Sequence, residues 1–160
     1  MKKFIKEVYP YVIIIIVVVL IRSFIITPVR VDGDSMDKYL HDGQILFLYR
    51  LAKVDRFDIV VLKEPDNDEK IIKRVYGLPG DSIEIDDGKI YINDEVIKDE
   101  FAYGKTSDYE KTTLESDEYF VLGDNRLISK DSRTFGKVKK DDIKGVTTVR
   151  IFPFNKIKLI

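Results

Sequence analysis

Residues 31–36 read Val-Asp-Gly-Asp-Ser-Met and set one serine, Ser35, in a polar, glycine-softened stretch just beyond a long apolar run. The chemistry such a serine could do is nucleophilic attack. A hydroxyl is nearly inert at neutral pH, so it needs a base. The choice is narrow, because the chain has no cysteine and a single histidine. That histidine stands in Leu40-His41-Asp42-Gly43, a turn-like stretch where an imidazole faces solvent. A histidine-based triad is therefore disfavoured, and taken by itself Ser35 reads as a turn residue after Gly33-Asp34. Two familiar motifs also fail. Ser35-Met36-Asp37-Lys38 is formally S-x-x-K, but the accompanying S-D-N and K-T-G elements are absent. Gly33-Asp34-Ser35 has the G-D-S order of esterases that use a late histidine, which this chain does not have.

Lys73 is the better base. In Lys70-Ile71-Ile72-Lys73-Arg74-Val75-Tyr76, strand alternation puts Ile71, Lys73 and Val75 on one face. Burial between β-branched neighbours disfavours the ammonium and lowers its pKa from about 10.4. A base useful near neutrality needs a fall of roughly 2–3 pH units, about 3–4 kcal/mol of desolvation. A lysine that snorkels outward from a sheet edge fits the same spacing. Arg74, on the other face, keeps its charge and suits a structural role. A third stretch, residues 123–133, reads Gly-Asp-Asn-Arg-Leu-Ile-Ser-Lys-Asp-Ser-Arg. It is rich in turn formers and reads as a solvated loop. Yet Ser129, Asp131 and Arg133 alternate, so in extended form they share a side and could form a hydrogen-bonded, ionic support for a dyad.

These residues need elements to position them. Residues 11–21 are an unbroken apolar run, and 8–26 spans roughly 28 Å as a helix, close to the ~30 Å hydrocarbon core. The exit, Ile-Ile-Thr-Pro-Val-Arg, has no small-residue cleavage pair, and the β-branched run has no polar face. The reading is an uncleaved signal-anchor over 8–27 behind a cytoplasmic tail, 1–7. Lys2, Lys3 and Lys6 place the N-terminus inside and residues 28–160 outside. Pro28 is expected to close the helix. Short strands are expected over 44–49, 58–62, 70–76, 82–85, 89–92, 118–122 and 145–152, with Asp86-Asp87-Gly88 as a hairpin turn. Residues 94–117 are charged and weakly patterned, a surface insertion. The fold expected is mainly β behind one membrane helix. With 27 Lys and Arg against 28 Asp and Glu, net charge gives no case for nucleic acid. One histidine and no cysteine exclude a multi-histidine or thiolate metal site.

Taken in order, these stretches resemble bacterial type I signal peptidases of the Gram-positive kind with a single membrane anchor. The matching boxes are Val-Asp-Gly-Asp-Ser-Met at 31–36, Asp-Ile-Val-Val at 58–61, Lys-Arg-Val-Tyr-Gly-Leu-Pro-Gly-Asp at 73–81, and Gly-Asp-Asn-Arg…Ser-Lys-Asp-Ser-Arg at 123–133; Pro153-Phe154 also fits the family's terminal pattern. The resemblance implies a β-rich catalytic core with a variable cap, matching 94–117. It implies a serine endopeptidase in which Ser35 is nucleophile and Lys73 general base, with no metal or cofactor. Ser129 would orient Lys73, Asp131 and Arg133 would form a supporting ion pair, and Arg74 and Asp124 would brace the site. The Ser35 N–H would be one oxyanion donor. Family members with serine two positions before the nucleophile use it as a second donor; Gly33 stands there, so that donor is open. Secretory preproteins, bound extended beside the strand before the nucleophile and the strand carrying the lysine, would be the substrates. Val31, Gly33, Asp34, Met36, Leu40, Ile71 and Ile72 match the binding positions.

One departure stands out. The usual S-M-x-P-T-L box reads Ser35-Met36-Asp37-Lys38-Tyr39-Leu40, which frees the backbone after the nucleophile and adds bulk. With the short insertion, this suggests a specialised paralogue serving surface polymers such as pili. The competing reading is a non-catalytic assembly factor for pili, against which retention of both Ser35 and Lys73 counts. A self-cleaving Ser/Lys regulator would want a DNA-binding module and an internal small-residue cleavage site, and neither is found.

Overall fold

The computed structural model describes the backbone of residues 2–67 and 69–160, and side chains from residue 6 onward apart from Asp68. The charges of Lys2 and Lys3, which bear on orientation, therefore lie outside the described side chains. Helix α1 (Lys2–Phe24) contains a stretch, Lys6–Phe24, long and apolar enough to cross a bilayer, and none of it is buried against protein. A β-branched helix with no polar face has hydrocarbon as its natural solvent. Its end differs from expectation. The helix stops at Phe24, and Ile26–Arg30 is strand β1, so Pro28 lies inside a strand, opposite Phe47. Ile25-Ile26-Thr27 favours extended backbone, and a proline is tolerated there because β1 is the edge of its sheet.

The larger antiparallel sheet runs β1, β2 (Ile45–Tyr49), β11 (Ile143–Phe152), β3 (Ile59–Lys63), β4 (Lys70–Gly77), β9 (Glu118–Leu122) and β10 (Val138–Lys139), with β12 (Lys158–Leu159) on β11. The apolar residues of β3 and all of β9 are buried, as befits central strands that read as continuous apolar runs. A smaller sheet runs β7 (Glu95–Val96), β6 (Lys89–Ile92), β5 (Ser82–Asp86) and β8 (Tyr109–Thr113). Its β5–β6 turn puts Asp87 and Gly88 at φ 45° and 76°, the conformation that a two-residue hairpin demands. Residues 94–117 are more than surface. They supply β7 and β8 to this sheet and bury Leu114 against Ile83 and Phe120. Their few apolar residues are too widely spaced to betray this in a linear pattern.

Three apolar clusters hold the fold, and one matters for the site. Val31, Met36, Leu40, Leu46 and Ile59, with Ile72 against them, bind the chain after β1 to β2, β3 and β4. Burying each such side chain stabilises by about 1.5–3 kcal/mol, so the segment around Ser35 is pinned from both flanks.

Candidate active site

After β1 the ladder to β2 continues, with Val31 N–H donating to Gln44 O at 2.8 Å and Gly43 N–H to Val31 O at 3.0 Å. Gly33, at φ 80°, then turns the chain, and its N–H donates to Asp42 Oδ1 at 3.0 Å. Met36 and Leu40 drop into the core. Ser35, between these anchors, stays partly accessible. Its carbonyl accepts from Asn125 N–H at 3.0 Å, and Asn125 Nδ2 donates to Asp34 O at 3.3 Å. Asn125 and Asp42 were not singled out from sequence. Asn125 stands in the Gly-Asp-Asn turn noticed there, but nothing local says what it grips 91 residues away.

Lys73 comes from β4, where it pairs with Val60 of β3. It is 3% exposed, and its Nζ lies 2.9 Å from Ser35 Oγ. Burial lowers its pKa from 10.5 to about 8; Asp131, Glu64 and Asp124 pull the other way, and Arg133 assists burial. A lysine half-neutral near pH 8 can take a proton from a neighbouring hydroxyl. The next residue, Arg74, makes a bidentate pair with Asp124 at 2.9 and 2.7 Å and donates to Phe57 O at 2.9 Å. His41 bonds Asp37 at 2.6 Å and is well exposed.

The third stretch is built differently from its expected extended form. Residues 124–128 form a bend, bridge and turn, and Asp131 caps the short helix α2 (Ser132–Phe135), accepting from Arg133 N–H at 3.3 Å. The turn-forming composition wins over the alternation. Asp131 and Arg133 meet as a pair, Arg133 Nε to Oδ1 and Nη2 to Oδ2, both at 2.8 Å. Arg133 Nη2 also donates to Ser129 O at 3.4 Å, and Asp131 Oδ2 accepts from Gly123 N–H at 3.0 Å. Ser129 Oγ makes no bond to Lys73; it is buried without a hydrogen-bond partner.

Beside Ser35 and Lys73 opens a cleft of about 470 Å³, lined by Val29–Gly33, Ser35, Met36, Val61 and Lys70–Lys73. Of the expected binding positions, Val31, Gly33, Met36, Ile71 and Ile72 line it. Leu40 lies in the core behind, and Asp34 is not on the wall. Val29, Arg30, Asp32, Val61 and Lys70 are wall residues that sequence reading missed.

Gly123 is the tightest point of the site. A Cβ there would meet Ser129 Oγ at 2.1 Å and Ser35 O at 2.7 Å. The latter is backbone and cannot swing aside. Gly123→Ala is therefore expected to push Ser35 off Lys73 and lower the rate of any reaction that uses this pair by ~10²-fold, the cost of about 1 Å of misplacement. Rates measured beside a melting curve check it, since a rate loss without a matching loss of folded protein places the effect at the site.

A family model described as "Signal peptidase, peptidase S26" matches residues 2–152. The chain is similar to the signal peptidase I of Streptococcus pneumoniae serotype 4, 33% identical and covering 98% of this chain and 97% of that one. It is 36% identical to signal peptidase I P of Bacillus subtilis subsp. natto, over 92% of this chain and 88% of that one. A crystal structure of a signal peptidase I from Enterococcus faecalis V583 superposes with a TM-score of 0.55 at 35% identity, covering 60% of this chain and 97% of that one.

Proposed function

The chain belongs to the signal peptidase family, peptidase S26, and is a signal-peptide-cleaving serine peptidase; we propose that Ser35 is its nucleophile and Lys73 its general base. The observation that carries this reading is the 2.9 Å approach of Lys73 Nζ to Ser35 Oγ at the wall of a cleft. Neutral Lys73 takes the hydroxyl proton as Oγ adds to the scissile carbonyl. The developing oxyanion is held by the Ser35 N–H, which has no protein acceptor among the described residues. The Gly33 N–H is already engaged by Asp42 and is no second donor in this arrangement. Protonated Lys73 then gives its proton to the leaving amine, and an ester remains on Ser35. Lys73 next deprotonates water, which hydrolyses that ester.

Asp131 and Arg133 fix the turn carrying Ser129, whose buried hydroxyl is free to orient Lys73 once substrate fills the cleft. Arg74 and Asp124 brace β4 against the loop after β9. The substrate is a secretory preprotein, extended along the open edge of β1, with small side chains just before the cut facing Val31, Met36, Ile71 and Ile72. Helix α1 is its single membrane anchor, with the N-terminus in the cytoplasm and the catalytic domain outside. Both dyad groups are in place, so no observation favours a purely scaffolding role. The test is cleavage of a precursor by the parent chain in phospholipid vesicles, with the product N-terminus sequenced. One cut after a small residue is expected, abolished when that residue becomes leucine. An intact precursor, or a cut indifferent to that change, would overturn the reading.

A further inference from the structure

The turn carrying Ser35 has a backbone feature that the dyad does not explain. Lys38 has φ 116°, a region in which L side chains are strained and glycine is at ease. Proline, locked near −65°, has no access to it. The Lys38 N–H donates to Asp37 Oδ1 at 3.0 Å, and the far end of its side chain is held as well. Lys38 Nζ donates to Glu100 O at 2.7 Å and reaches Ala102 O at 3.5 Å. The neighbouring Tyr39 ring packs on Phe101 at 5.8 Å between centroids, and the Arg74 guanidinium lies 4.0 Å from the same Phe101 ring. Both anchors land on residues 99–103.

That segment is itself fastened to the core. Asp99 accepts from Tyr76 OH at 2.8 Å, from the Phe101 and Ala102 N–H groups at 3.2 and 3.3 Å, and from Arg126 Nη2 at 2.5 Å. Tyr103 N–H donates to Asp124 O at 3.0 Å, and Tyr103 O accepts from Arg126 N–H at 3.1 Å. Asp124 and Arg126 flank Asn125, which grips the Ser35 carbonyl. The nucleophile turn is thus held twice by one connected structure, at Ser35 through Asn125 and at Lys38-Tyr39 through 99–103.

Resting on the reading of Ser35 as nucleophile, we propose that residues 99–103 are a strap that sets the position of Ser35, with Lys38 as the positioning residue that ties the turn to it. Between them the turn is closed by Asp37 N–H to Asp34 O at 3.1 Å and Leu40 N–H to Met36 O at 3.0 Å. A shift at Lys38 therefore passes to Ser35. Lys73 is held by β4 through its pairing with Val60 of β3, as are the cleft-wall residues Ile71 and Ile72 through Leu62 and Val61; the strap meets this strand at the next residue, Arg74. Loss of the tie misaligns Oγ against Nζ while leaving the Ile71-Ile72 wall and the Lys73 surroundings as they were, and the Met36 side chain is kept on the opposite wall by its core contacts with Val31 and Leu46.

The test uses the full chain in phospholipid vesicles and a synthetic peptide spanning a cleavage site with alanines one and three residues before the cut. Lys38→Met keeps the stem and removes the donor. It is expected to lower kcat by about 10- to 100-fold with KM within about twofold. The acid limb of the pH profile and the melting temperature should match the parent's. Lys38→Arg, which can reach the same carbonyls, should recover most of the rate, and Lys38→Pro should fall below Lys38→Met. A Lys38→Met chain with the parent's kcat overturns the proposal. So does a loss that appears in KM or in melting temperature and is not recovered by arginine. Ser35→Ala separates the two layers. If it cleaves the peptide, the nucleophile assignment fails; if it is inert while Lys38→Met is normal, the strap alone fails.

Discussion

Replacing Lys73 with methionine is expected to lower precursor cleavage by about 10⁴-fold or more while leaving the fold at least as stable as the parent's, since removing one member of a catalytic unit costs nearly the whole effect. Methionine has a similar length and no charge, so it fills the same slot between β3 and β9. The stability half follows from the lowered pKa. Lys73 is buried and titrates near 8 in place of 10.5, which corresponds to roughly 3 kcal/mol against the protonated folded state. Below pH 8 both folded and unfolded chains hold the proton, and the folded chain carries the full penalty. Between 8 and 10.5 the folded chain releases it first, so stability rises with pH, then levels once both states are neutral. The methionine variant lacks that rise. Denaturant midpoints of parent and variant at pH 7 and 10.5, measured beside cleavage rates, read both halves. A residue kept for structure alone would give the opposite pattern, with activity near the parent's and stability lost.

If Lys73 is the base as proposed, cleavage by the parent climbs with pH to a plateau above about 8, because its neutral form dominates there. On the acid limb the rate should change about tenfold per pH unit, leaving it ~100-fold below the plateau at pH 6. Neighbouring charges give the sign of a second shift. Glu64 raises the Lys73 pKa through its field, so Glu64→Gln should move the acid limb to lower pH. Glu64 also pairs with Lys130, next to Ser129, and a drop in plateau rate without movement of the limb would assign it to structure alone. kcat/KM profiles from pH 5 to 10 distinguish these outcomes.

The strands were the most legible part, because period-2 patterns and turn residues mark them locally. Residues 70–76 and 118–122 were found to within a residue of β4 and β9. The start of β1 was hidden because Ile25-Ile26 reads as a continuation of the long apolar helical run before it, and Pro28 then looks like a stop signal. Strand β7 was hidden because it is only two residues long, Glu95–Val96, and β8 because its partner, β5, lies some way back in the chain. At the site, Lys73 was visible from its apolar face, but the spacing alone favoured a lysine that snorkels outward; its burial and its approach to Ser35 are three-dimensional facts. The ionic partnership of Asp131 and Arg133 was legible, though through a false premise. They meet as a helix cap and its first-turn arginine and not across an extended strand. The grips of Asn125 on Ser35 and of Lys38 on Glu100 have no local signature, since each joins segments far apart in the chain.

The central claim is that Ser35 attacks the substrate with Lys73 as its base. Its most direct measurement is single-turnover cleavage of a precursor by excess Ser35→Ala chain in vesicles at pH 9, with the parent alongside. That pH leaves Lys73 mostly neutral, so only the nucleophile differs. The account predicts full processing by the parent and no product above the enzyme-free background from the variant. Processing by Ser35→Ala at the parent's rate would contradict it.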